Sequence, residues 1–227
     1  MDRSDGVSLD GIAGQGFLGR LAPDLVGELI QSSRSASYPS GTILSPSRDG
    51  TGPALVASGR LRYFLSAPDG RQLTLRYLAP GDLVGTVIRD QSRAATRIEV
   101  LSNSVLLHLD EEHVRSLAAR RPELAEALLG EVTARLRTAY ARLAARAFSD
   151  VRSRVARDLI ERAQMCGPVQ PGAHINVTQQ SVADATGTVR EVVARAVRAM
   201  RREGLIASSG EGITVLDPER LTRVAGL

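Results

Sequence analysis

A cluster of arginines near the carboxyl end is the most distinctive chemical feature of the chain. Between residues 188 and 202 there are five arginines and one acid, Glu191. If this segment is a helix, at about 100° per residue the charged side chains share one side and the apolar ones the other. The charged side consists of Arg190, Glu191, Arg195, Arg198 and Arg202, and the apolar side of Val192, Val193, Ala196, Val197 and Met200.

The charged side of this segment fits the major groove of B-DNA. Guanidinium groups bond bidentately to guanine, a carboxylate accepts from the cytosine amino group, and outer arginines meet phosphates. A solvated helix face is the alternative. Such faces normally mix charges of both signs for i,i+4 pairing, whereas this one is almost entirely positive. The pattern therefore predicts a helix that binds double-stranded DNA.

The residues around this segment predict a winged helix–turn–helix. Thr178 is a suitable N-cap for a short helix from Val177 to about Ala185, and Gly187 supplies the turn. The second helix is expected from Thr188 or Val189 to about Arg202, followed by Gly204. The remaining expectations are a hairpin of Leu205–Ala207 and Ile213–Leu216, joined by a loop over residues 208–212, and a last helix from Asp217-Pro218 to about Val224.

Length and composition restrict the class of protein. The 227 residues suffice for two domains, and 43% apolar with 24% charged residues is typical of a globular chain. There is no apolar run of about 18 residues, so no membrane span is expected. The amino terminus lacks the apolar stretch of a secretion signal, which predicts a cytoplasmic protein. All 29 basic residues are arginine and the net charge is +4, a bias that GC-rich coding would produce by itself.

In the part of the chain before residue 149, the composition and the spacing of apolar residues predict three further segments. Residues 1–15, rich in Gly, Ser and Asp, are expected to be poorly ordered. Within residues 16–120 we expect two short helices, an antiparallel barrel or sandwich, and a helix over Glu111–Ala119. Residues 121–148 are expected to form one long helix. The expected strands are 42–44, 61–65, 72–78, 97–101 and 105–109. Residues 149–227 form the last domain, which begins with a helix over Val151–Met165 capped by Ser149-Asp150.

The long helix carries one apolar stripe. Its members recur every three or four residues and are Leu128, Val132, Leu136, Ala139 and Leu143. Such a stripe either packs on its own domain or pairs with a second copy of the chain. A helix of roughly 25 residues spans about 38 Å and is longer than the small barrel before it. The length therefore favours a parallel dimer.

Few residues in the sequence are suited to catalysis, disulfide formation or metal binding. A single cysteine, Cys166 in a predicted loop, excludes an intrachain disulfide and an all-cysteine metal or iron–sulfur site. The three histidines, His108, His113 and His174, are scattered, and the sequence has no nucleophile–base pair, paired carboxylates or metal-ligand spacing. We therefore expect neither an enzyme nor a metal site.

In its order of segments and in its motifs, the sequence resembles the CRP/FNR family of bacterial transcription regulators over residues 16–227. The motifs are Ser58-Gly59-Arg60-Leu61, Pro68-Asp69-Gly70-Arg71, Pro80-Gly81-Asp82-Leu83-Val84-Gly85, Arg190-Glu191-x-x-x-Arg195 and Gly204-Leu205-Ile206. The resemblance implies an α+β fold: a cyclic-nucleotide-binding-like β-roll or jelly-roll barrel, a long dimerisation helix and a winged helix–turn–helix. It also implies that Arg190 and Arg195 contact guanines and Glu191 a cytosine in a TGTGA-like half-site.

Two departures from the family pattern affect the DNA-binding residues. Val189 stands where the family usually has a serine, so we expect Thr188 to cap the recognition helix. Gln179 and Gln180 replace a more basic start of the first helix. The candidate DNA-binding residues are therefore Arg190, Glu191, Arg195 and Arg198, together with Thr178, Gln179, Gln180 and Thr188 at the starts of the two helices.

The candidate effector site departs further from the family pattern. Gly85 is followed by Thr86, where the family's cyclic-AMP readers have a glutamate that binds the ribose. The candidate phosphate ligand, Arg93, is followed by two alanines rather than Ser-Ala, and the segment before it is shorter than in those readers. A buried phosphate without these donors would lack charge-assisted hydrogen bonds. We therefore expect no cofactor and weak or absent cyclic-AMP dependence, with Arg93 as a surface or salt-bridge residue.

Together these patterns predict a homodimeric, sequence-specific DNA-binding regulator that binds an inverted repeat. RNA polymerase is a further candidate partner, and no membrane partner is expected. One alternative is a regulator that responds to a cyclic nucleotide through a diverged phosphate-binding segment. The other is a small-molecule-binding module whose winged domain contacts proteins.

Overall fold

The computed structural model describes residues 12, 14–45, 52–68, 70, 72–85, 96–210 and 212–227. The expectation of poor order over residues 1–15 falls largely outside these residues, as do the effector-site candidates Thr86 and Arg93. The chain divides into two compact units. The first unit contains Met1–Tyr63 and Leu78–Thr138, and the second unit contains Phe64–Tyr77 and Ala139–Leu227.

The amino-terminal half contains short helices, a sheet and one long helix. Its helices are a 3-10 turn over Leu18–Arg20, α1 (Pro23–Ile30), α2 (Glu111–Arg120) and α3 (Pro122–Phe148). Its strands are β1 (Arg34–Tyr38), β2 (Ile43–Leu44), β3 (Ala54–Ser66), β4 (Gln72–Leu78), β5 (Leu83–Val84) and β6 (Thr96–His108). Among the described residues they form a six-stranded sheet in the order β1-β6-β3-β4, with β2 paired to β6 and β5 to β3.

The sheet contains longer and additional strands compared with the sequence prediction. β6 is one strand of 13 residues where two short strands were predicted, and β1 and β5 were not predicted. β1 pairs antiparallel with β6 from Arg34 opposite His108 to Tyr38 opposite Ser104. The β1 ladder thus pairs the second half of β6 as far as Ser104, the last residue of the polar stretch between the two predicted strands.

The first unit has its hydrophobic core between the short helices and the strands. Phe17, Leu25 and Leu29 lie against Leu55 and Leu117, and all of these side chains are almost completely buried. A second cluster lies among the strands and includes Leu61, Leu78, Val84, Ile98 and Leu106. The two clusters show that the sheet and the short helices share a hydrophobic core.

Helix α3 runs from Pro122 to Phe148, as predicted, but its exposed stripe differs at one end. Leu128 is half-buried and packs against the core of the first unit, so it does not belong to the exposed stripe. The neighbouring Leu129 is exposed instead. The exposed large apolar residues of α3 are Leu129, Val132, Leu136, Tyr140, Leu143 and Phe148.

The second unit is built around four helices and a small sheet. These elements are α4 (Val151–Cys166), β7 (His174–Ile175), α5 (Gln179–Thr186), α6 (Arg190–Arg202), β8 (Ile206–Ser209), β9 (Gly212–Val215) and α7 (Pro218–Ala225). The strands form a sheet in the order β7-β9-β8, of which β7 was not predicted. The core consists of apolar residues from all four helices, among them Leu159, Val182, Val197 and Leu221.

Helix α4 begins and ends close to the predicted positions. Asp150 is its N-cap and accepts a hydrogen bond from the Ser153 amide at 2.7 Å, which holds the pKa of the Asp150 carboxyl below its usual value. Cys166 is the last, exposed residue of α4. Its predicted position in a loop is wrong, since the helix continues until Gly167. None of the helices that the structure describes is long and apolar enough to cross a membrane.

Candidate nucleic-acid interface

The turn between α5 and α6 has the predicted geometry. Thr178 is the N-cap of α5, and its Oγ1 accepts a hydrogen bond from the Ser181 amide at 3.1 Å. Gly187 follows α5 with φ of +64°. This left-handed backbone conformation is unfavourable for residues that have a Cβ. The Thr188 amide then donates to the Ala183 carbonyl at 3.0 Å, which closes the turn.

Helix α6 starts without the predicted side-chain cap. Its N-cap residue is Val189, and no side chain accepts a hydrogen bond from its first turn. Thr188 was expected to cap the helix, and this expectation is wrong, because Thr188 precedes the N-cap position by one residue. Only Val189 O accepts from the first turn, from the amides of Val192 and Val193. The first peptide groups of α6 therefore rely on partners from outside the helix.

The two faces of α6 are separated as the sequence predicted. Val193, Ala196, Val197 and Met200 are buried in the core of the second unit, while Val192 is half-buried. The exposed residues are Arg190, Glu191, Arg195, Arg198, Arg201 and Arg202. An open cavity of about 580 Å³ lies along this face and is lined by Arg195, Arg198, Arg201 and Arg202.

Several other arginines of the second unit have acidic partners. Arg142, Arg152 and Arg162 form ion pairs with Glu161, Glu203 and Asp158. Within the described part of the chain, no ion pair involves an arginine of the exposed α6 face. Helix α6 therefore presents a concentrated positive charge that no described residue outside its exposed face neutralises.

The loop of the wing is shorter than predicted, whereas its strands have four residues each. Ser209 pairs with Gly212, so the hairpin closes over residues 210–211 and not over the predicted five-residue loop. Gly212 has φ of +145°, and a Cβ at this position would lie 2.2 Å from the Ile175 carbonyl oxygen. Such an approach between β9 and β7 requires glycine. Asp217 then caps α7 by accepting from the Arg220 amide, as predicted.

The remaining candidates occupy separate positions. Gln179 is the first residue of α5, and Gln180 donates to Asp184 Oδ1 at 2.8 Å within that helix. Gly85 follows β5, and its carbonyl accepts from Arg135 Nη1 of α3 at 2.5 Å. His108 and His113 bond to Tyr38 and to the Glu28 carbonyl, and the described residues hold no group of His, Cys, Asp and Glu that could bind a metal.

A buried pair of Asp158 and Arg162 lies on α4 and was not predicted from the sequence. Arg162 Nε donates to Asp158 Oδ2 at 2.7 Å, and Arg162 Nη2 donates to the Ser181 carbonyl of α5 at 3.2 Å. The side chains of Asp158 and Arg162 are 6% and 10% exposed, so the pair is part of the interior. Their i,i+4 spacing was visible in the sequence, but it is equally common on solvated helices.

Each half of the chain matches a known type of protein domain. Residues 153–224 match the Crp-like helix-turn-helix domain, and residues 36–121 match the cyclic nucleotide-binding domain. A CRP-like cAMP-activated global transcriptional regulator of Mycobacterium tuberculosis is 30% identical over 220 residues, which cover 94% of this chain and 98% of that protein. The cyclic AMP receptor protein of Thermus thermophilus is 30% identical over 209 residues, which cover 90% of this chain and 94% of that protein.

Solved structures show the same fold. A CRP/FNR-family transcriptional regulator from Thermus thermophilus aligns with a TM-score of 0.71 and 25% identity, over 86% of this chain and 99% of that one. The c-di-GMP responsive global regulator CLP of Xanthomonas campestris aligns with a TM-score of 0.74 and 20% identity, over 86% and 99%. With its two domain matches, its relatives and its helix–turn–helix, the chain belongs to the CRP/FNR family of DNA-binding transcription regulators, whose members are not enzymes.

Proposed function

We propose that this regulator is a homodimer that binds an inverted repeat through the exposed face of α6 and acts in the cytoplasm without requiring cyclic AMP. In this proposal Arg190 and Arg195 bond to guanines, Glu191 accepts from a cytosine, and Arg198 meets phosphate. Thr178, Gln179, Gln180 and Thr188 approach the DNA backbone from the helix starts. RNA polymerase is the protein partner that regulation of transcription would bring to the bound dimer.

The observation that carries the DNA-binding proposal is the unneutralised arginine face of α6. Like charges on one helix face repel one another and destabilise the helix unless a partner compensates them. The phosphates of a duplex supply that compensation and release counterions. In the same unit, Arg142, Arg152 and Arg162 each form an ion pair with an acidic residue. The arginines on the exposed face of α6 lack such partners among the described residues.

The exposed stripe of α3 supports the dimer. Leu129, Val132, Leu136, Tyr140 and Leu143 are between 50% and 68% exposed. They follow one another at spacings of three or four residues along a helix of 27 residues. This spacing is that of a coiled-coil seam, and water contact with so much apolar surface is unfavourable. A second copy of α3 would cover the stripe and place two α6 helices at half-sites about 34 Å apart.

Residues next to the candidate effector site support independence from cyclic AMP. Arg135 of α3 donates to the Leu83 and Gly85 carbonyls and is itself paired with Glu131, which is buried. Arg62 is the buried guanidinium among the described strands, and its Nη1 lies 2.9 Å from Glu99 Oε2. Arg62 and Arg135 each already have a carboxylate partner, which argues against a cyclic phosphate at either cation. The sequence offers Thr86 where a ribose-binding carboxylate would be needed.

A cyclic-nucleotide-responsive regulator is the second candidate. Two relatives at 30% identity are named as cAMP-activated or as a cyclic AMP receptor, and residues 36–121 match the cyclic nucleotide-binding domain. Under this alternative the ligand would be held by residues of the segment that follows Gly85, Arg93 among them, and DNA binding would depend on the ligand.

Replacement of Arg190 by alanine tests the DNA-binding proposal. The preferred site is first selected from random duplexes, and affinities are then measured by fluorescence anisotropy over a range of salt concentrations. We expect Arg190→Ala to weaken binding to that site by about 1–3 kcal/mol and to relax the preference at one base position. Arg120→Ala, at the end of α2, is the matched control and should bind like the wild type. An equal loss on random DNA would contradict base-specific contact by Arg190.

A further inference from the structure

Residues 64–77 of the second unit form an arm that contacts the helix–turn–helix region. The arm consists of the last residues of β3, the turn at Ala67–Gly70, in which Gly70 N donates to Ala67 O, and most of β4. Although β3 and β4 belong to the larger sheet, this part of them clusters with residues 139–227. By its contacts, the arm therefore belongs to the same unit as the DNA-binding residues.

Tyr77 is the arm residue that completes the buried pair on α4. Its hydroxyl donates to Asp158 Oδ1 at 2.7 Å, while Arg162 Nε occupies Oδ2 of the same carboxylate. The Arg162 guanidinium carbon also lies 5.1 Å from the centre of the Tyr77 ring. A buried ion pair is favourable only when its remaining polar atoms find partners. Tyr77 supplies one hydrogen bond to the anion and an aromatic face to the cation.

The same pair holds the first helix of the helix–turn–helix. Arg162 Nη2 donates to the Ser181 carbonyl in the first turn of α5. At the other end of α5, Thr186 lines a small cavity of about 40 Å³ together with Asp158 and with Leu73 of the arm. The Asp158–Arg162 pair thus contacts the first turn of α5, and the arm lines the same cavity as the last residue of α5. A displacement of either end would alter the start of α6, because α5 and α6 are joined by a tight turn.

We propose that Tyr77 is a positioning residue for DNA recognition, which acts through Asp158 and Arg162 to hold α5, and thereby α6, in the arrangement that binds DNA. This inference rests on the proposed function of α6. It adds a residue, Tyr77, that is far from α6 in the sequence and that does not itself contact DNA. Release of the arm loosens α5 and spreads the α6 arginines over several orientations, which lowers affinity for the preferred site more than for random DNA.

The test compares Tyr77→Phe with Tyr63→Phe, a matched change in the part of β3 outside the arm. Tyr77→Phe keeps the ring but removes the hydrogen bond to a charged acceptor, so we expect site-specific affinity to fall on the order of tenfold. Binding to random DNA should stay within about twofold, because it depends on charge and not on orientation. Hydrogen exchange should become faster in residues 64–77 and in α5, whereas Tyr63→Phe should change neither measurement.

A second variant separates the coupled contacts from general destabilisation. Arg162→Lys keeps the charge but loses the guanidinium fork and most of the stacking, so the double variant with Tyr77→Phe should lose less affinity than the sum of the two single losses. Unchanged affinity and exchange in Tyr77→Phe, a rise in affinity, strictly additive losses, or exchange that increases evenly over both units would overturn the proposal. If the wild type binds no DNA selectively, the proposed function fails, whereas the exchange experiment still reports on the arm.

Discussion

At the scale of single residues, side chains that accept hydrogen bonds from backbone amides fix where helices begin. Asp110, Asp150, Thr178 and Asp217 each accept from the amide three residues later. A cap of this kind contributes about 0.5–2 kcal/mol. The start of α6 at Val189 has no such bond. The recognition helix is thus left with unsatisfied donors at the end that the proposed function brings to DNA.

His108 makes the stability of the first unit depend on pH. Burial, with a contribution from the nearby Arg34 charge, holds the pKa of His108 below its usual value. The unfolded chain therefore binds more protons than the folded chain once the pH falls below about 6.5, the ordinary histidine pKa. The stability present above that pH is lost as the pH falls from there towards the lower folded value.

We therefore expect the thermal midpoint of the wild type to fall between pH 7 and pH 5, and this fall to be smaller in His108→Gln. Glutamine can still bond to the Tyr38 hydroxyl, which lies 2.9 Å from His108 Nε2 in the wild type. His174→Gln is the control, since His174 is exposed. Calorimetric scans over this pH range check the prediction, and a midpoint that does not change with pH in the wild type would refute it.

At the scale of elements, α3 serves two different packing surfaces along its length. Near its start, Leu124 and Ala127 are buried in the core of the first unit. Leu129, Val132 and Leu136 lie on a side that the single chain leaves exposed. A helix can serve both purposes because residues three and four apart share a face, whereas adjacent residues such as Leu128 and Leu129 do not.

Replacement of Leu136 by glutamate should disrupt the proposed dimer. A carboxylate in the apolar seam would face its own copy across the dimer axis, and burial of two like charges is strongly unfavourable. We expect a monomer by sedimentation equilibrium and a large loss of affinity for the full inverted repeat. Arg137→Glu, one residue away and off the stripe, should remain dimeric. A dimeric Leu136→Glu would show that another surface holds the copies together.

At the scale of the whole molecule, the location of charge matters more than its total. The net charge is only +4, which gives a weak general attraction to DNA. The exposed arginines of α6 concentrate positive charge on one helix, so attraction and orientation arise at the same surface. Under the proposed function, an effector or the assembly of the dimer would control DNA binding.

Isothermal calorimetry with cyclic AMP, cyclic GMP and cyclic di-GMP distinguishes the two candidate functions. We expect no binding of any of them at micromolar concentration and equal DNA affinity with and without them. The physical reason is the absence of a carboxylate at Thr86 and of a hydroxyl after Arg93, which leaves a buried phosphate and ribose without donors and acceptors. Micromolar binding accompanied by tighter DNA binding would establish the cyclic-nucleotide-responsive alternative.

Local sequence signals were sufficient to predict the helix–turn–helix, the two faces of α6, the length of α3 and the caps at Asp150, Thr178 and Asp217. These features depend on residues at most a few positions apart, because helical periodicity, capping and tight turns are local. The cap expected at Thr188 was wrong because α6 begins one residue later than that cap requires, with Val189 at the N-cap position.

Contacts between distant parts of the chain set the remaining features. β1 exists because it pairs with β6, and Leu129 replaces Leu128 on the exposed stripe because Leu128 packs on the first unit. The Tyr77–Asp158 hydrogen bond joins residues 81 positions apart. Strand pairing and buried polar contacts gain their free energy from groups that are distant in the chain, and no local pattern specifies which distant group will be the partner.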